Sequence, residues 1–337
     1  MASHEDGQLQ ALVAAAAGPE AGQAALERLS IADALTSARG DDVSRATFAM
    51  ALNVLLFADL LDRVPSGDAY VEGVVASGGT VCFDHGALRT IRFAEGATGG
   101  LPAGEAAFTR ILEPLGYEMA AVYPLPALKM TGRAYRHRDL PEVIPQFFLS
   151  ELHVERFDDA FAVAAERVFG TSRDPLDPAT SATLDRLAET GSIPMAEAIT
   201  ALPRLAAAFG RHHDPAALED YETLRGQSAE AAWIATEGNA FNHATDRVPD
   251  VEALAERLRA EGRPIKDKVE ISTSGRVRQT AFRADMVERE FAGGATRMVP
   301  GSFYEFISRA IDPAIGRLDL GFDSGNATGI FAMTRAS

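Results

Sequence analysis

The stretch GNAFNHATDRV, residues 238–248, is the part of the sequence from which the fold of this chain is predicted. It places a single histidine, His243, in a short run with the composition of a β-strand. Asn242 and Thr245 lie on either side of this histidine and have side chains that can orient an imidazole ring. Because a strand holds its side chains rigidly, we interpret this stretch as one part of a site built on a sheet.

Two distant segments have the same character and supply the other members of a candidate metal site. His85 follows the strand-like TVCF in GGTVCFDHGALRTIRF, and Glu305 lies in SFYEFISR, a short apolar and aromatic run. Together with His243 they make two histidines and one carboxylate, each on its own predicted strand. This is the ligand set of mononuclear non-haem iron sites, in which two His and one Asp or Glu bind one face of the metal.

A second cluster of metal-binding residue types competes with this separated triad. In ELHVERF, Glu151, His153 and Glu155 are spaced two residues apart, so on a strand all three side chains would point to one face. Spacing alone does not decide between the two arrangements. The remaining histidines are interpreted as solvated (His4, His212 and His213) or as crowded by arginines (His137).

Arg89 favours the separated triad, because it lies four residues after His85. On an extended strand these two side chains project to the same face, so the guanidinium would reach the same cavity as the imidazole. A planar guanidinium binds both oxygens of a carboxylate, which suits an acidic substrate. The alternative, in which Arg89 pairs with an acid on the surface, stays open from the residues alone.

Composition argues against several other classes of protein. The chain has 337 residues and a net charge of −16, so nonspecific attraction to nucleic acid or to an anionic membrane is not expected. Cys82 is the single cysteine, which excludes an intrachain disulfide and a cysteine metal cluster. The N-terminus lacks the basic region of a signal peptide, and no apolar stretch is long enough to cross a membrane. We therefore expect a cytoplasmic protein.

The order of the predicted elements indicates an α+β fold in a single catalytic domain, residues 1–337. N-terminal helices over 1–65 precede a first β-rich half over 66–157. A helical insertion over 158–237 precedes a second β-rich half over 238–337. Each half has a histidine-bearing strand, then a helix, then several more strands. This layout agrees with two β-α-β-β-β modules that form a curved sheet around a central cavity.

Some individual elements are predicted at approximate positions along the chain. The periodicity favours a helix over residues 20–38. Two short strands are predicted at 80–83 and 88–93, and one long strand is predicted from Gln146 to Phe157.

Several segments of the chain resemble one family of enzymes. FDHGALRTI, YPLPALKMTGRAYRHRD, FFLSELHVERF, EGNAFNHATDRV and GRVRQTAF together resemble the 2-oxoadipate dioxygenase/decarboxylases, from about residue 45 to the C-terminus. A more distant similarity links FYEFISR and GFDSGNATGIF to the C-terminal end of 4-hydroxyphenylpyruvate dioxygenase. Both families have the vicinal oxygen chelate type of fold, with β-α-β-β-β modules around a metal.

The resemblance implies roles for five residues. His85 and His243 match the two histidine ligands of iron, and Glu305 matches the carboxylate ligand. Arg89 matches the arginine that binds the substrate carboxylate. Gln279, in VRQTAF, lies in a family-like strand and is implied as a substrate contact.

The resemblance also implies an activity, namely the Fe(II)-dependent conversion of 2-oxoadipate and O2 to 2-hydroxyglutarate and CO2 in lysine catabolism. The partners are then a small 2-oxo acid and O2, with no nucleic acid and no membrane, and His153 has a structural role. The chain is shorter than some members of the family, which leaves the contacts to the distal carboxylate of the substrate open. Three alternatives remain: a dioxygenase for a related 2-oxo acid, a metal-dependent isomerase or lyase of the same fold, and a binding protein without a reactive metal.

Overall fold

A computed structural model describes residues 7–323, so His4 and the segment GNATGIF lie outside the described residues. The α-helices are α1 (Gln8–Ala17), α2 (Pro19–Glu27), α3 (Asp33–Thr36), α4 (Arg45–Arg63), α5 (Pro65–Ala76), α6 (Ala106–Leu112), α7 (Asp159–Phe169), α8 (Pro178–Thr190), α9 (Met195–Ala207), α10 (Leu218–Gln227), α11 (Ala229–Glu237) and α12 (Val251–Ala260). The β-strands are β1 (Asp42–Ser44), β2 (Phe83–Arg92), β3 (Tyr117–Leu125), β4 (Met130–His137), β5 (Gln146–His153), β6 (Ser192–Pro194), β7 (His243–Arg247), β8 (Glu270–Ile271), β9 (Val277–Ala281), β10 (Met286–Glu290), β11 (Thr296–Pro300), β12 (Phe303–Arg309), β13 (Ile311–Asp312) and β14 (Arg317–Leu318).

A curved sheet of eight strands, in the order β3-β4-β5-β2-β7-β12-β9-β8, forms the centre of the fold. Its two halves repeat one pattern. In the first half β2 runs parallel to β5, and β4 and β3 follow; in the second half β7 runs parallel to β12, and β9 and β8 follow. The predicted pair of β-α-β-β-β modules is therefore confirmed, with α6 and α12 as the helix of each module.

The two modules meet where β2 pairs antiparallel with β7, and this junction depends on a glycine. Gly86 lies opposite Ala244. A Cβ atom added at Gly86 would lie 2.2 Å from the ring of Phe241, so the ring leaves room for glycine alone. The Phe241 ring is buried, with its centroid 6.2 Å from that of Phe83 and 5.7 Å from that of Phe147. This packing brings the two histidine-bearing strands side by side.

Helix α4 packs against the sheet and supports β2 and β12. The ring of Phe57 lies 4.9 Å from that of Phe83 and 6.2 Å from that of Tyr304, measured between centroids. Ser44 caps the start of this helix, because its Oγ accepts a hydrogen bond from the amide of Thr47. No helix in the described part of the chain has the length and apolar character needed to cross a bilayer.

Several predicted element bounds are wrong. β2 is one strand where two were predicted, because His85, Gly86 and Ala87, which lie between the two predicted strands, pair with β5 on one side and β7 on the other. β5 ends at His153 and not at Phe157, because a 3₁₀ turn follows it. The helix predicted over 20–38 is interrupted after α2, where Leu29 forms a bridge with Val81.

Candidate metal centre

The three side chains predicted as metal ligands lie together at the junction of the two modules. His85 on β2, His243 on β7 and Glu305 on β12 are all buried, and one potential ligand atom of each lies within 4.8 Å of the others. The Oε2 atom of Glu305 is 3.1 Å from Nε2 of His243 and 3.4 Å from Nε2 of His85. Residues that are far apart in sequence meet here because β2, β7 and β12 are consecutive strands of the sheet.

The register of these strands puts the side chains on one face, with Thr245 at their centre. Thr245 on β7 is paired with His85 on one side and with Glu305 on the other, and His243 lies two residues earlier on the same face. The Thr245 hydroxyl donates a 2.7 Å hydrogen bond to Glu305 Oε2 and lies 3.1 Å from Nε2 of His85. Thr245 was predicted to orient His243, but its contacts are with the other two members of the triad.

Each imidazole is oriented by the side chain of the residue that precedes it. Nδ1 of His243 lies 3.2 Å from Oδ1 of Asn242, as the sequence suggested, and Nδ1 of His85 lies 2.8 Å from Oδ1 of Asp84. Both rings therefore direct Nε2 toward Glu305. The contact of Asp84 was not predicted, although a signal for it exists: FDHG and FNHA share the pattern Phe, Asp or Asn, His, small residue.

Burial and neighbouring charges determine the protonation of the triad. Burial raises the pKa of the Glu305 carboxyl, but the charges and hydrogen bonds of His243 and His85 lower it, and the resulting pKa lies well below its usual range. Burial also lowers the pKa of His243 below its ordinary value. For His85, burial lowers the pKa, while hydrogen bonds to Asp84 and Glu305 raise it, with a raised pKa as the net result. Glu305 is thus a carboxylate at neutral pH and His243 is the neutral imidazole that binds metals.

This set of donors fits a divalent transition metal. Two imidazole nitrogens and one carboxylate oxygen on one side of a site form the facial triad typical of non-haem Fe(II) enzymes. His85, His243 and Glu305 all project from one face of the sheet, so the opposite side of a bound ion is left to the cavity. The residues present therefore fit the metal that the sequence implied.

A cavity opens in front of the triad. Arg89 lines it, together with apolar, aromatic and polar side chains. The other lining residues are His85, Ala87, Leu88, Phe148, Ser150, Asn242, His243, Gln279, Glu305, Phe322 and Asp323.

Arg89 and Gln279, the two predicted substrate contacts, both lie in this cavity. Arg89 is on the same face of β2 as His85 and is 2% exposed. Its guanidinium carbon lies 5.2 Å from the ring centroid of Trp233 on α11, a cation–π contact that fixes the head group. Gln279 is buried on β9, opposite Ile307 of β12. Both side chains thus line the same cavity as the triad, and their roles as substrate contacts stay predictions.

The competing cluster in ELHVERF does not belong to this cavity. Ser150 lines the cavity. Glu151 and His153 lie one and three residues after it on β5, and because side chains alternate along a strand, both point to the other face of the sheet. Nε2 of His153 is 2.8 Å from the hydroxyl of Thr131, and Nδ1 is 3.3 Å from Glu155 Oε1. In the described part of the chain, the separated triad is the one group of three or more His, Cys, Asp and Glu residues whose ligand atoms lie close enough together to hold one metal ion.

His213 corrects another interpretation made from the sequence. It was expected to be solvated, but it is buried, and its ring nitrogens lie 2.9 Å from the carbonyl of Asp214 and 3.1 Å from that of Ile234. The loop RHHDP is polar in composition, and only the packing of α11 against it brings the Ile234 carbonyl to the ring. His137 is also buried, and its Nδ1 accepts hydrogen bonds from the backbone amides that follow it.

The sequence of residues 64–315 matches the 2-oxoadipate dioxygenase/decarboxylase family. The chain belongs to this family. The family is named for an enzyme of the oxidoreductase class, in agreement with the resemblance found in the sequence.

Two curated plant proteins of the same description are similar to the chain. The 2-oxoadipate dioxygenase/decarboxylase of Oryza sativa subsp. japonica, described as chloroplastic/amyloplastic, is 25% identical over 307 residues, which are 81% of this chain and 75% of that protein. The chloroplastic protein of Arabidopsis thaliana is 27% identical over 135 residues, which are 34% of this chain and 36% of that protein.

Solved structures share the fold. A glyoxalase superfamily protein from Ralstonia eutropha JMP134 is 53% identical, with a TM-score of 0.88 over 94% of this chain and 98% of that one. The hydroxyglutarate synthase from Oryza sativa, solved in complex with 2-oxoadipate, is 20% identical, with a TM-score of 0.67 over 86% of this chain and 93% of that one. The predicted fold class, α+β with modules of the vicinal oxygen chelate type, is thus confirmed.

Proposed function

We propose that this chain is an Fe(II)-dependent dioxygenase and decarboxylase that converts 2-oxoadipate and O2 to 2-hydroxyglutarate and CO2. The reaction balances, because the oxo acid gains both oxygen atoms of O2 and loses one carbon and two oxygen atoms as CO2. Membership of the family supports the reaction class, and the presence of 2-oxoadipate in the rice hydroxyglutarate synthase supports the substrate. The observation that carries the proposal is the buried convergence of His85, His243 and Glu305 beside a cavity lined by Arg89.

In this proposal His85, His243 and Glu305 hold the iron. When bound there, Fe(II) would supply redox chemistry with O2 and act as a Lewis acid toward a keto group. The protein supplies a carboxylate that is ionised at neutral pH and two imidazoles whose orientation is set before the substrate arrives.

Arg89 binds a carboxylate of the 2-oxo acid in this proposal. Its guanidinium presents two parallel N–H donors, which fit the two oxygens of a carboxylate, and its contact with Trp233 limits the orientations it adopts. Gln279 offers an amide to the same substrate from β9. Phe148 and Phe322 cover apolar parts of the cavity and exclude water from the reacting carbons.

The residues lining the cavity also favour a second candidate, a dioxygenase for a 2-oxo acid without a distal carboxylate. 2-Oxoadipate has two carboxylates, and among the described residues that line the cavity Arg89 is the one arginine or lysine, while Asp323 adds a negative charge. A 2-oxo acid with an apolar tail would place that tail against Phe148 and Phe322.

We also propose that residues 1–337 act as a single catalytic domain. The first module supplies His85 and Arg89, and the second supplies His243 and Glu305. Neither module therefore contains a complete site. The cytoplasmic location, the role in lysine catabolism and the lack of nucleic-acid or membrane partners stay predictions.

An oxygen-uptake experiment tests the proposal. The protein is purified without metal, reconstituted with Fe(II) under anaerobic conditions and mixed with 2-oxoadipate and O2. We expect equal amounts of O2 consumed, CO2 released and 2-hydroxyglutarate formed. 2-Oxohexanoate is the matched control, since it has the same carbon chain without the distal carboxylate. Faster turnover of 2-oxohexanoate would favour the second candidate.

Two other outcomes would contradict dioxygenase activity altogether. Conversion of the 2-oxo acid without uptake of O2 would indicate an isomerase or lyase. Binding of metal and 2-oxo acid without turnover of any acid in the panel would indicate a binding protein.

A further inference from the structure

We propose that Asp84 and Arg309 are positioning residues for His85, and that they make it the more firmly held of the two imidazoles at the metal. This inference rests on the proposed function in one respect, which is that the triad binds a divalent metal. It concerns two residues outside the triad, neither of which lines the cavity.

Asp84 reaches the ring of its own neighbour because β2 is irregular at this point. Phe83 is paired with Asp246 and His85 with Thr245, so Asp84 is an extra residue inserted opposite β7. In a regular strand, successive side chains point to opposite faces. A bulge re-aims the side chain, and here Oδ1 of Asp84 comes within 2.8 Å of Nδ1 of His85.

Arg309 on β12 holds the Asp84 carboxylate from the other side. Nη2 of Arg309 lies 2.8 Å from Oδ1, and Nε lies 2.9 Å from Oδ2, the two-point geometry of a guanidinium and a carboxylate. The side chain of Arg309 is 0% exposed, and that of Asp84 is 1% exposed. A buried ion pair gives little net stability over an apolar pair of the same size. Stability alone therefore does not account for this pair beside a metal ligand.

The hydrogen-bond partner of His243 is uncharged and lies farther from its ring than Asp84 does from the ring of His85. Asn242 is a neutral amide, and its Oδ1 lies 3.2 Å from Nδ1 of His243. Hydrogen bonds to an ionised acceptor are shorter and about twice as strong as neutral ones. A carboxylate on Nδ1 also makes Nε2 a better metal donor. His85 and His243 lie at equivalent places in the two modules, but the side chain that orients His85 is charged and the one that orients His243 is neutral.

Arg309 has a second set of contacts that Asp84 does not share. Its Nη1 donates hydrogen bonds to the carbonyls of Asp319, at 2.9 Å, and Gly321, at 2.7 Å. These bonds hold the segment that carries Phe322, whose ring centroid lies 4.8 Å from that of His85. One guanidinium therefore supports both the carboxylate behind His85 and the aromatic ring against it.

The experiment compares Asp84→Asn with Asn242→Ala, using Co²⁺ as the probe. Asp84→Asn gives both histidines the same amide partner, whereas Asn242→Ala removes the weaker partner. Affinity for Co²⁺ is measured by competition with a chromophoric chelator, and the ligand field is read from the visible absorption of the Co²⁺ protein. We expect Asp84→Asn to weaken binding about 10- to 100-fold and to shift the absorption bands. Asn242→Ala is expected to have a smaller effect.

The melting temperatures of the metal-free variants separate positioning from a purely structural role. If Asp84 had only a structural role, Asp84→Asn would lower the melting temperature of the metal-free protein but leave the Co²⁺ affinity and the absorption spectrum unchanged. That result would overturn the inference. Equal losses of affinity in the two variants would also overturn it. If Asp84→Asn does not fold, Asp84→Asn combined with Arg309→Gln removes both buried charges, and wild-type affinity in that protein would overturn the inference.

Failure of this inference is distinguishable from failure of the proposed function. Wild-type protein that binds no Co²⁺ or Fe(II) would overturn both. Wild-type protein that binds metal and consumes O2, with Asp84→Asn equal to it in affinity and spectrum, would overturn the positioning roles alone.

Discussion

Replacement of Arg89 tests the assigned substrate contact most directly. Arg89→Met keeps a long apolar side chain beside Trp233 but removes the guanidinium. Arg89→Lys keeps a positive charge but has no planar fork. Since the side chain is 2% exposed, water has little room to replace the lost donors.

The expected loss follows from two charge-assisted hydrogen bonds in a cavity with little water. Hydrogen bonds to charged groups contribute about 1.5–3 kcal/mol each, so Arg89→Met should lose roughly 3–6 kcal/mol of transition-state binding. Because each 1.4 kcal/mol is about a factor of ten, kcat/KM for 2-oxoadipate should fall roughly 10²- to 10⁴-fold. Arg89→Lys should lie between Arg89→Met and the wild type.

Steady-state O2 uptake with 2-oxoadipate measures kcat/KM, and iron content is measured on the same samples. Iron content should stay at the wild-type level, since Arg89 is not one of the three residues assigned as ligands. Added guanidinium ion should partly restore the Arg89→Met variant. A fall of less than about fivefold in kcat/KM with full iron content would refute the assignment, because it is below the effect of one charged hydrogen bond.

Three further predictions concern the ligands, the junction and the pH dependence of stability. His243→Ala should lose iron retention and O2 uptake, measured by metal analysis and an oxygen electrode, and full turnover in the folded variant would contradict its role. Gly86→Ala should lower the free energy of unfolding in urea by about 1–3 kcal/mol, since the new methyl meets the Phe241 ring. Gly73→Ala, on an exposed helical turn with open space, is its control and should be neutral or stabilising. Burial lowers the pKa of His137 in the folded protein to about 4. In the unfolded chain this histidine has its ordinary pKa of about 6.5, so the unfolded chain binds an extra proton between pH 6.5 and 4. Stability should therefore fall as the pH falls from 6.5 to 4. An NMR titration of the His137 ring with a midpoint near 6.5 would contradict this.

The repeated module was predictable because each half carries its own local signals. Each half has a histidine on a strand, then an amphipathic helix, then alternating strands. These elements are recognised from residues that are close together in the sequence. α12 shows this clearly, since the side chain of Asp250, the residue just before the helix, caps its first turn. Where a long-range pairing competes with local pattern, the prediction was wrong. β2 runs through HGAL because β5 and β7 flank it, and neither strand is near it in sequence.

The contacts around His85 could not be predicted from the local sequence pattern. The bulge that turns Asp84 toward the ring exists only where β2 pairs with β7, and Arg309 reaches Asp84 from β12, 225 residues later. The burial of His213 has the same origin, since the carbonyl of Ile234 on α11 meets its ring. Polar loops and charged residues are assigned to solvent by composition, and only packing reveals the exceptions.

The sequence by itself determined the residue types of the centre, their placement on strands and, through the resemblance, the family. His85, His243 and Glu305 were candidates because strand composition and ligand chemistry are local properties, and the family resemblance, not spacing, selected them over the cluster in ELHVERF. Only the tertiary structure decided that these three meet, that Glu151 and His153 face the other way, and that Asp84 and Arg309 lie behind His85. The physical reason is that distances between strands depend on which strands pair and in which register, and pairing is a property of the whole sheet.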